Sequence, residues 1–175
     1  MEINVTIEML ANIAEIAGGI MIVGGALFGL VQLRELKQQR VTAVTSDLMQ
    51  TFYSTDLSHA VSMMHELPDG VSAEELRSLG PEYERAAVLI CTNFETMGLL
   101  VFEKIASYRT VQHLAGGMIT SMWRKLSVWT VELRNEQEQP SWAEWFQWLA
   151  ERMAQTKNEA APAYEKHRDW QAGNS

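Results

Sequence analysis

The longest apolar run in the chain extends from Ile16 to Leu33 and contains no charged residue between Glu15 and Arg34. An α-helix rises about 1.5 Å per residue, so this run would form a helix about 27 Å long, close to the ~30 Å hydrocarbon thickness of a bilayer. The pattern therefore predicts a transmembrane helix over residues 16–33.

Apolar residues at helical spacing continue on both sides of this run. Ile3, Ile7 and Leu10 precede it, and Leu48 and Phe52 lie on the same periodicity after it. Residues 34–40 are polar but contain neither proline nor glycine. We therefore expect one long, semi-rigid helix that starts before the span and continues well beyond it.

The rest of the chain predicts a set of shorter helices and no β-strand. Ser54, Thr55 and Asp56 supply helix-start residues, with Asp56 expected as the cap of a helix from Leu57 to about Glu66. Ser72 with Glu75 forms a capping-box pattern before Gly80. A second such pattern, Ser141 with Glu144, predicts the start of a last helix.

The two longest predicted helices of this part cover Glu82–Ala106 and Val111–Arg134, and only four residues connect them. A connection this short predicts an antiparallel hairpin. The fold class is therefore all-α, with a long N-terminal transmembrane helix that continues into a small cytoplasmic helical bundle around this hairpin. We divide the chain into an anchor with a basic neck (1–40), a helical domain (41–157) and a polar tail (158–175).

The charges around the span predict its orientation. The formal net charge is -8, yet the only charged residues before the span are three acids, while Arg34, Lys37 and Arg40 follow it with one acid among them. Basic residues beside a span are retained in the cytoplasm, so we expect the N-terminus outside and the helical domain inside. The acidic N-terminus also differs from the basic start of a cleavable signal peptide.

Charge and cysteine content restrict the partners and the compartment. Residues 41–175 carry 11 basic and 18 acidic side chains, and an acidic domain without a basic stripe is poorly suited to nucleic acid. The lone Cys91 excludes an internal disulfide and is expected to be a buried apolar residue in a reducing compartment.

Glycines inside the span form a pattern that is typical of helix association. Gly25 and Gly29 make a GxxxG motif, and Gly18 lies one heptad earlier. Small residues at this spacing let a second helix approach closely. We therefore expect a homo-oligomer or a subunit of a membrane complex. The alternative is that glycine is simply frequent in spanning helices.

Polar and small residues also interrupt the predicted hairpin. Asn93 lies on the apolar face of its helix and Glu95 lies close to it, so both are expected to hydrogen bond across the hairpin, with Arg109 or Arg124 as the partner. Gly98, Gly116 and Gly117 reduce helix propensity, which indicates a close backbone approach.

The sequence contains no complete motif for catalysis, for a cofactor or for a metal. Asp56 and His59 have the i, i+3 spacing of di-iron helical bundles, but no second Glu-x-x-His pair completes such a site. Glycine-rich phosphate loops are also missing. We therefore predict no catalytic, cofactor-binding or metal-binding residue, no cofactor and no identified small-molecule substrate.

Residues 93–152 resemble a widespread bacterial family of uncharacterised small proteins with one N-terminal membrane helix. The resemblance rests on the run Asn93–Glu95, Gly98, the pair Gly116–Gly117, the pair Trp123–Arg124 and an aromatic-rich segment from Trp145 to Arg152. It implies a helical cytoplasmic domain on a single-pass anchor in the inner membrane, and it transfers no activity. The glycine-rich span departs from the family pattern.

These observations favour a non-enzymatic single-pass membrane protein that assembles with itself or with a larger membrane complex, as a scaffold, accessory or regulatory subunit. One alternative is a membrane-perturbing or pore-forming oligomeric effector, although Gln32 is the only strongly polar residue within the span. A second alternative is a metal-dependent helical-bundle enzyme.

Overall fold

The structure is a computed structural model that describes residues 2–52, 54–157 and 161–171. The described residues contain seven helices and no strand: α1 (Glu2–Phe52), α2 (Thr55–His65), α3 (Ala73–Leu79), α4 (Pro81–Phe102), α5 (Tyr108–Glu136), α6 (Glu144–Lys157) and α7 (Ala163–Lys166). The all-α fold class and the single long first helix are confirmed.

The chain forms two compact units, Met1–Ala43 and Val44–Ser175. The first unit consists of α1 up to Ala43. The second contains the end of α1 and the six other helices, and within it the backbone N–H of Ser107 donates a 3.0 Å hydrogen bond to the Thr45 hydroxyl. Of the predicted tail, residues 158–160 and 172–175 lie outside the described residues. Within the described part of the tail, Trp170 is exposed.

Local hydrogen bonds start two of the helices. The Ser72 hydroxyl accepts from the N–H of Glu75, whose carboxylate accepts from the N–H of Ser72, so the first predicted capping box is confirmed. Ser54 caps α2 by accepting from the N–H of Leu57, and Asp56 lies in the first turn. The expected cap at Asp56 is therefore wrong by two residues.

The second predicted capping box does not form. Helix α6 begins at Glu144, and the N–H of Glu144 donates to the Ser141 backbone carbonyl at 3.3 Å in a turn that precedes the helix. Ala143 has a φ of 56° there, a left-handed conformation that a helix cannot continue through. The cap of α6 comes instead from the Glu95 side chain of α4.

Two long helices end without glycine, in the left-handed turn known as the Schellman motif. After α4, Ile105 N–H donates to the Leu100 carbonyl (2.9 Å), with Lys104 at φ 58°. After α5, Gln139 N–H donates to the Arg134 carbonyl (3.0 Å), with Glu138 at φ 53°. Helix α4 therefore ends four residues before the predicted Ala106.

The core of the second unit lies among α2, α4, α5 and α6. Helix α6 packs against both α4 and α5, and α2 packs against α4. The predicted hairpin helices α4 and α5 thus each contact α6 more extensively than they contact each other. Aromatic side chains fill this core: the ring centroids of Phe94 and Phe146 are 5.0 Å apart, and those of Trp129 and Trp142 are 5.3 Å apart.

The loop between α2 and α3 is bonded directly to the backbone of α5. The N–H of Val71 donates to the Lys125 carbonyl, and the N–H of Trp129 donates to the Val71 carbonyl, both at 3.1 Å. In a regular α-helix those two groups of α5 bond to each other. The Val71 peptide therefore adds a long-range link to the hydrogen-bond ladder of α5.

Candidate functional site

The apolar segment of α1 exposes its side chains in every direction. Ile20 is 67% exposed, Phe28 65% and Leu33 65%, and no residue of 18–33 is buried. Side chains of the predicted span are described from Gly18 onward. A second helix, Pro81–Phe102, is long and apolar enough to cross a membrane, but 44% of its most apolar 18-residue window is buried and it supplies core residues. Of these two candidate spans among the described residues, only the N-terminal one has no buried residue in its most apolar window.

Three glycines lie on one face of this segment. At 100° per residue, Gly18, Gly25 and Gly29 fall within about 40° of one another around the helix axis. A Cβ atom added at any of them would have no described heavy atom within 4 Å. This face is a smooth stripe that no described part of the chain covers.

The basic neck follows immediately. Arg34, Lys37 and Arg40 are exposed, and none of them forms an ion pair with another described residue. Their charges are therefore available to lipid headgroups or to a partner.

In the second unit, Glu95 of α4 caps the N-terminus of α6. Its Oε2 accepts a 2.8 Å hydrogen bond from the backbone N–H of Phe146, the third residue of α6. Partial burial raises the pKa of the Glu95 carboxyl, although hydrogen bonds from the Phe146 and Trp145 backbone act in the opposite direction. The expected arginine partner is wrong: Arg124 pairs with Asp69 at 3.7 Å, and Arg109 lies on the surface.

Gly98, one turn after Glu95, brings the backbone of α4 against the start of α6. A Cβ atom at this position would overlap the Trp145 carbonyl group and lie 2.6 Å from its carbon. The missing side chain therefore permits the approach that lets Glu95 reach the first turn of α6.

Arg134 of α5 holds the turn before α6 from the other side. Its Nε donates to the Trp142 carbonyl at 2.7 Å, and its Nη1 donates to the Gln147 side chain at 2.8 Å. No local sequence motif marks Arg134 for this role, because its partners lie in and after a turn whose geometry has no sequence signature. Glu95, Gly98 and Arg134 together fix where α6 packs.

The remaining predicted residues have more local roles. Asn93 Nδ2 donates to the Leu89 carbonyl of its own helix at 2.7 Å, so the expected bond across the hairpin is wrong. Gly116 faces α6, where an added Cβ would lie 3.6 Å from Met153 Sδ, and Gly117 has no described heavy atom within 4 Å. Only Gly98 among these glycines is required by a close approach of the described backbone.

Chemistry-bearing side chains are dispersed over the described residues. Asp56 and His59 lie exposed on α2, and no three described His, Cys, Asp or Glu side chains form a group that could hold a metal ion. Cys91 is buried, as expected, and burial raises the pKa of its thiol.

Comparison with known proteins gives one match. A family model described as a domain of unknown function, DUF4760, matches residues 19–153. No curated protein and no solved structure matches the chain. The matched region begins inside the apolar segment of α1 and ends within α6.

Proposed function

We propose that this chain, which belongs to the DUF4760 family of unknown function, is a non-enzymatic single-pass membrane protein. In this proposal its N-terminal helix assembles with itself or with a larger membrane complex and holds the helical domain at the cytoplasmic face. The domain then serves as a scaffold, accessory or regulatory subunit. The observation that carries the proposal is the complete exposure of the apolar segment of α1.

The apolar surface that α1 exposes favours a lipid environment. Burial of apolar surface contributes about 25 cal/mol per Å², and soluble monomers rarely expose contiguous apolar patches larger than a few hundred Å². A helix that is apolar all round reaches a stable state in lipid or against other helices. The exposed side chains of Ile20, Phe28 and Leu33 fit the lipid environment.

The family match supports retention of the segment. A cleaved leader lies outside the mature domain, whereas the DUF4760 match includes most of the apolar segment together with α2 to α6. This supports an anchor that stays attached to the helical domain.

The anchor is tested by fractionation of cells that express the full chain. We expect the protein in the membrane fraction, resistant to carbonate and released by detergent. Two arginines in the apolar segment, Val23→Arg with Phe28→Arg, should move it to the soluble or aggregated fraction, because a central charge costs about 2.5–3.5 kcal/mol. The matched control, Gln38→Arg with Gln39→Arg, should stay in the membrane. Wild-type protein in the aqueous fraction would disprove the anchor.

The orientation is tested with a reporter fused to the C-terminus. Arg34, Lys37 and Arg40 should keep the reporter in the cytoplasm, and changing all three to glutamate should place a large fraction of it outside. Changing Arg85 and Lys104 to glutamate should have no effect, since these residues lie far along the chain from the span. An exported wild-type reporter would contradict the proposed orientation.

Assembly is tested by crosslinking in membranes. Gly25→Leu with Gly29→Leu should reduce the crosslinked oligomer severalfold, because bulky side chains block the smooth stripe. Gly19→Leu with Gly24→Leu replaces the same number of glycines on other faces and should leave the crosslinking unchanged. Equal crosslinking of both double variants would remove the stripe from the proposal.

A further inference from the structure

A groove of about 640 Å³ lies in the second unit between α5, the end of α6 and α7. One wall is a face of α5, which contributes five residues between Arg109 and Gly117. Thr156 of α6 and Lys166 of α7 also line the groove. A volume of this size is typical of sites for small organic molecules.

The groove is basic although the chain is acidic. Arg109 and His113 line it from α5, and Lys166 and His167 line it from the opposite wall. No Asp or Glu is among its lining residues, and none of these four side chains forms an ion pair with a described carboxylate. Four nitrogen-bearing side chains thus face one space without a neutralising partner among the described residues.

Uncharged polar groups complete the lining. Gln112 contributes an amide and Thr156 a hydroxyl. The Thr156 hydroxyl donates to the Arg152 carbonyl at 2.9 Å and lies 3.1 Å from the Tyr108 hydroxyl. Gly116 and Gly117 leave the floor without side chains, so a ligand can approach the backbone of α5 closely.

We propose that this groove binds a phosphate group, carried by a small organic phosphate or by an anionic lipid headgroup. Arg109 and Lys166 provide the charge-assisted hydrogen bonds that phosphate oxygens favour, and the Gln112 amide adds a neutral donor. The space exceeds that needed for a bare phosphate ion, so the rest of the ligand also lies in the groove. This site is independent of the assembly of the anchor.

The soluble form of the ligand is tested with the full chain in a neutral detergent. Inorganic phosphate and glycerol phosphate are titrated at constant ionic strength and followed by calorimetry. Arg109→Gln with Lys166→Gln should weaken binding at least tenfold, because it removes the two charged donors. Both side chains are exposed, so the fold should not depend on them. The control pair, Arg85→Gln with Lys104→Gln, removes the same charge elsewhere and should stay within twofold of the wild type.

The lipid form is tested by native mass spectrometry of the same protein with phosphatidylglycerol or phosphatidylcholine. All samples carry Arg34→Gln, Lys37→Gln and Arg40→Gln, so that the neck does not contribute. Retention of phosphatidylglycerol that falls severalfold on changing Arg109 and Lys166 identifies a lipid headgroup as the ligand. Binding of the soluble probes with the same dependence identifies a soluble phosphate. If no probe binds, or if the groove variants bind like the control pair, the proposal is wrong.

Discussion

The carboxylate of Glu95 accepts a 2.8 Å hydrogen bond from the backbone N–H of Phe146, 51 residues further along the chain. Helix α6 thus receives its N-terminal cap from α4, while its own Ser141 lies in the preceding turn. An uncapped helix start leaves backbone N–H groups without partners. This single contact therefore both stabilises the first turn of α6 and holds α6 against α4.

Loss of this cap should destabilise the second unit. Glu95→Ala should lower the free energy of unfolding by about 1–2 kcal/mol, the range found for lost helix caps. Chemical denaturation monitored by circular dichroism measures the change. Glu66→Gln, at an exposed carboxylate that follows α2, is the control and should alter stability by less than ~0.5 kcal/mol.

Glu95 also predicts a pH dependence. Burial raises the pKa of its carboxyl in the folded protein, so the folded state holds a proton over a pH range where the unfolded chain has released it. By linkage, the contribution of Glu95 to stability falls as the pH rises from about 4.3 through the raised pKa. The unfolding free energy of the wild type should therefore fall relative to that of Glu95→Gln as the pH rises over this range. A constant difference would contradict the burial of the charge.

The two helix glycines Gly98 and Gly117 should respond oppositely to alanine. Gly98→Ala should destabilise by about 2 kcal/mol or more, because the new Cβ meets the Trp145 backbone, which cannot move without shifting α6. Gly117→Ala should stabilise by up to about 1 kcal/mol, since its surroundings are open and alanine favours the helix. Thermal denaturation of both variants measures the difference, and equal effects would disprove the close approach at Gly98.

The left-handed helix ends predict stabilising substitutions. Lys104→Gly and Glu138→Gly should each raise the free energy of unfolding by roughly 0.5–1 kcal/mol, since glycine adopts a φ near 55° without steric cost. Arg152→Gly, in the middle of α6, should instead lower it by about 1 kcal/mol. Destabilisation at position 104 or 138 would contradict this prediction. It would mean that the side chain there contributes more free energy than the left-handed conformation costs.

Two neighbouring cations that approach Asp69 differ in burial. Lys125 is 12% exposed and donates to the Leu67 carbonyl, whereas Arg124 is 66% exposed. Lys125→Met should cost about 1.5–3 kcal/mol because it leaves a carbonyl without its charged donor. Arg124→Met should cost less than ~0.5 kcal/mol. Urea denaturation of the two variants provides the comparison, and similar losses would contradict the role of burial.

The sequence by itself determined the features whose causes lie within a few residues. The uncharged run before Arg34 requires an apolar environment wherever the chain folds, and the Ser72–Glu75 capping box closes over a single turn. Periodicity likewise predicted the long first helix, which the structure shows over Glu2–Phe52.

Only the tertiary structure decided which distant groups meet. The partner of Glu95, the insertion of Val71 beside α5 and the basic groove that joins Arg109 to Lys166 depend on how helices far apart in the chain pack together. The ends of α4 and α5 belong here too, because Lys104 and Glu138 adopt a conformation that their residue types disfavour. The physical reason is that burial and packing free energies, gained over the whole core, exceed the local preferences that a sequence pattern expresses.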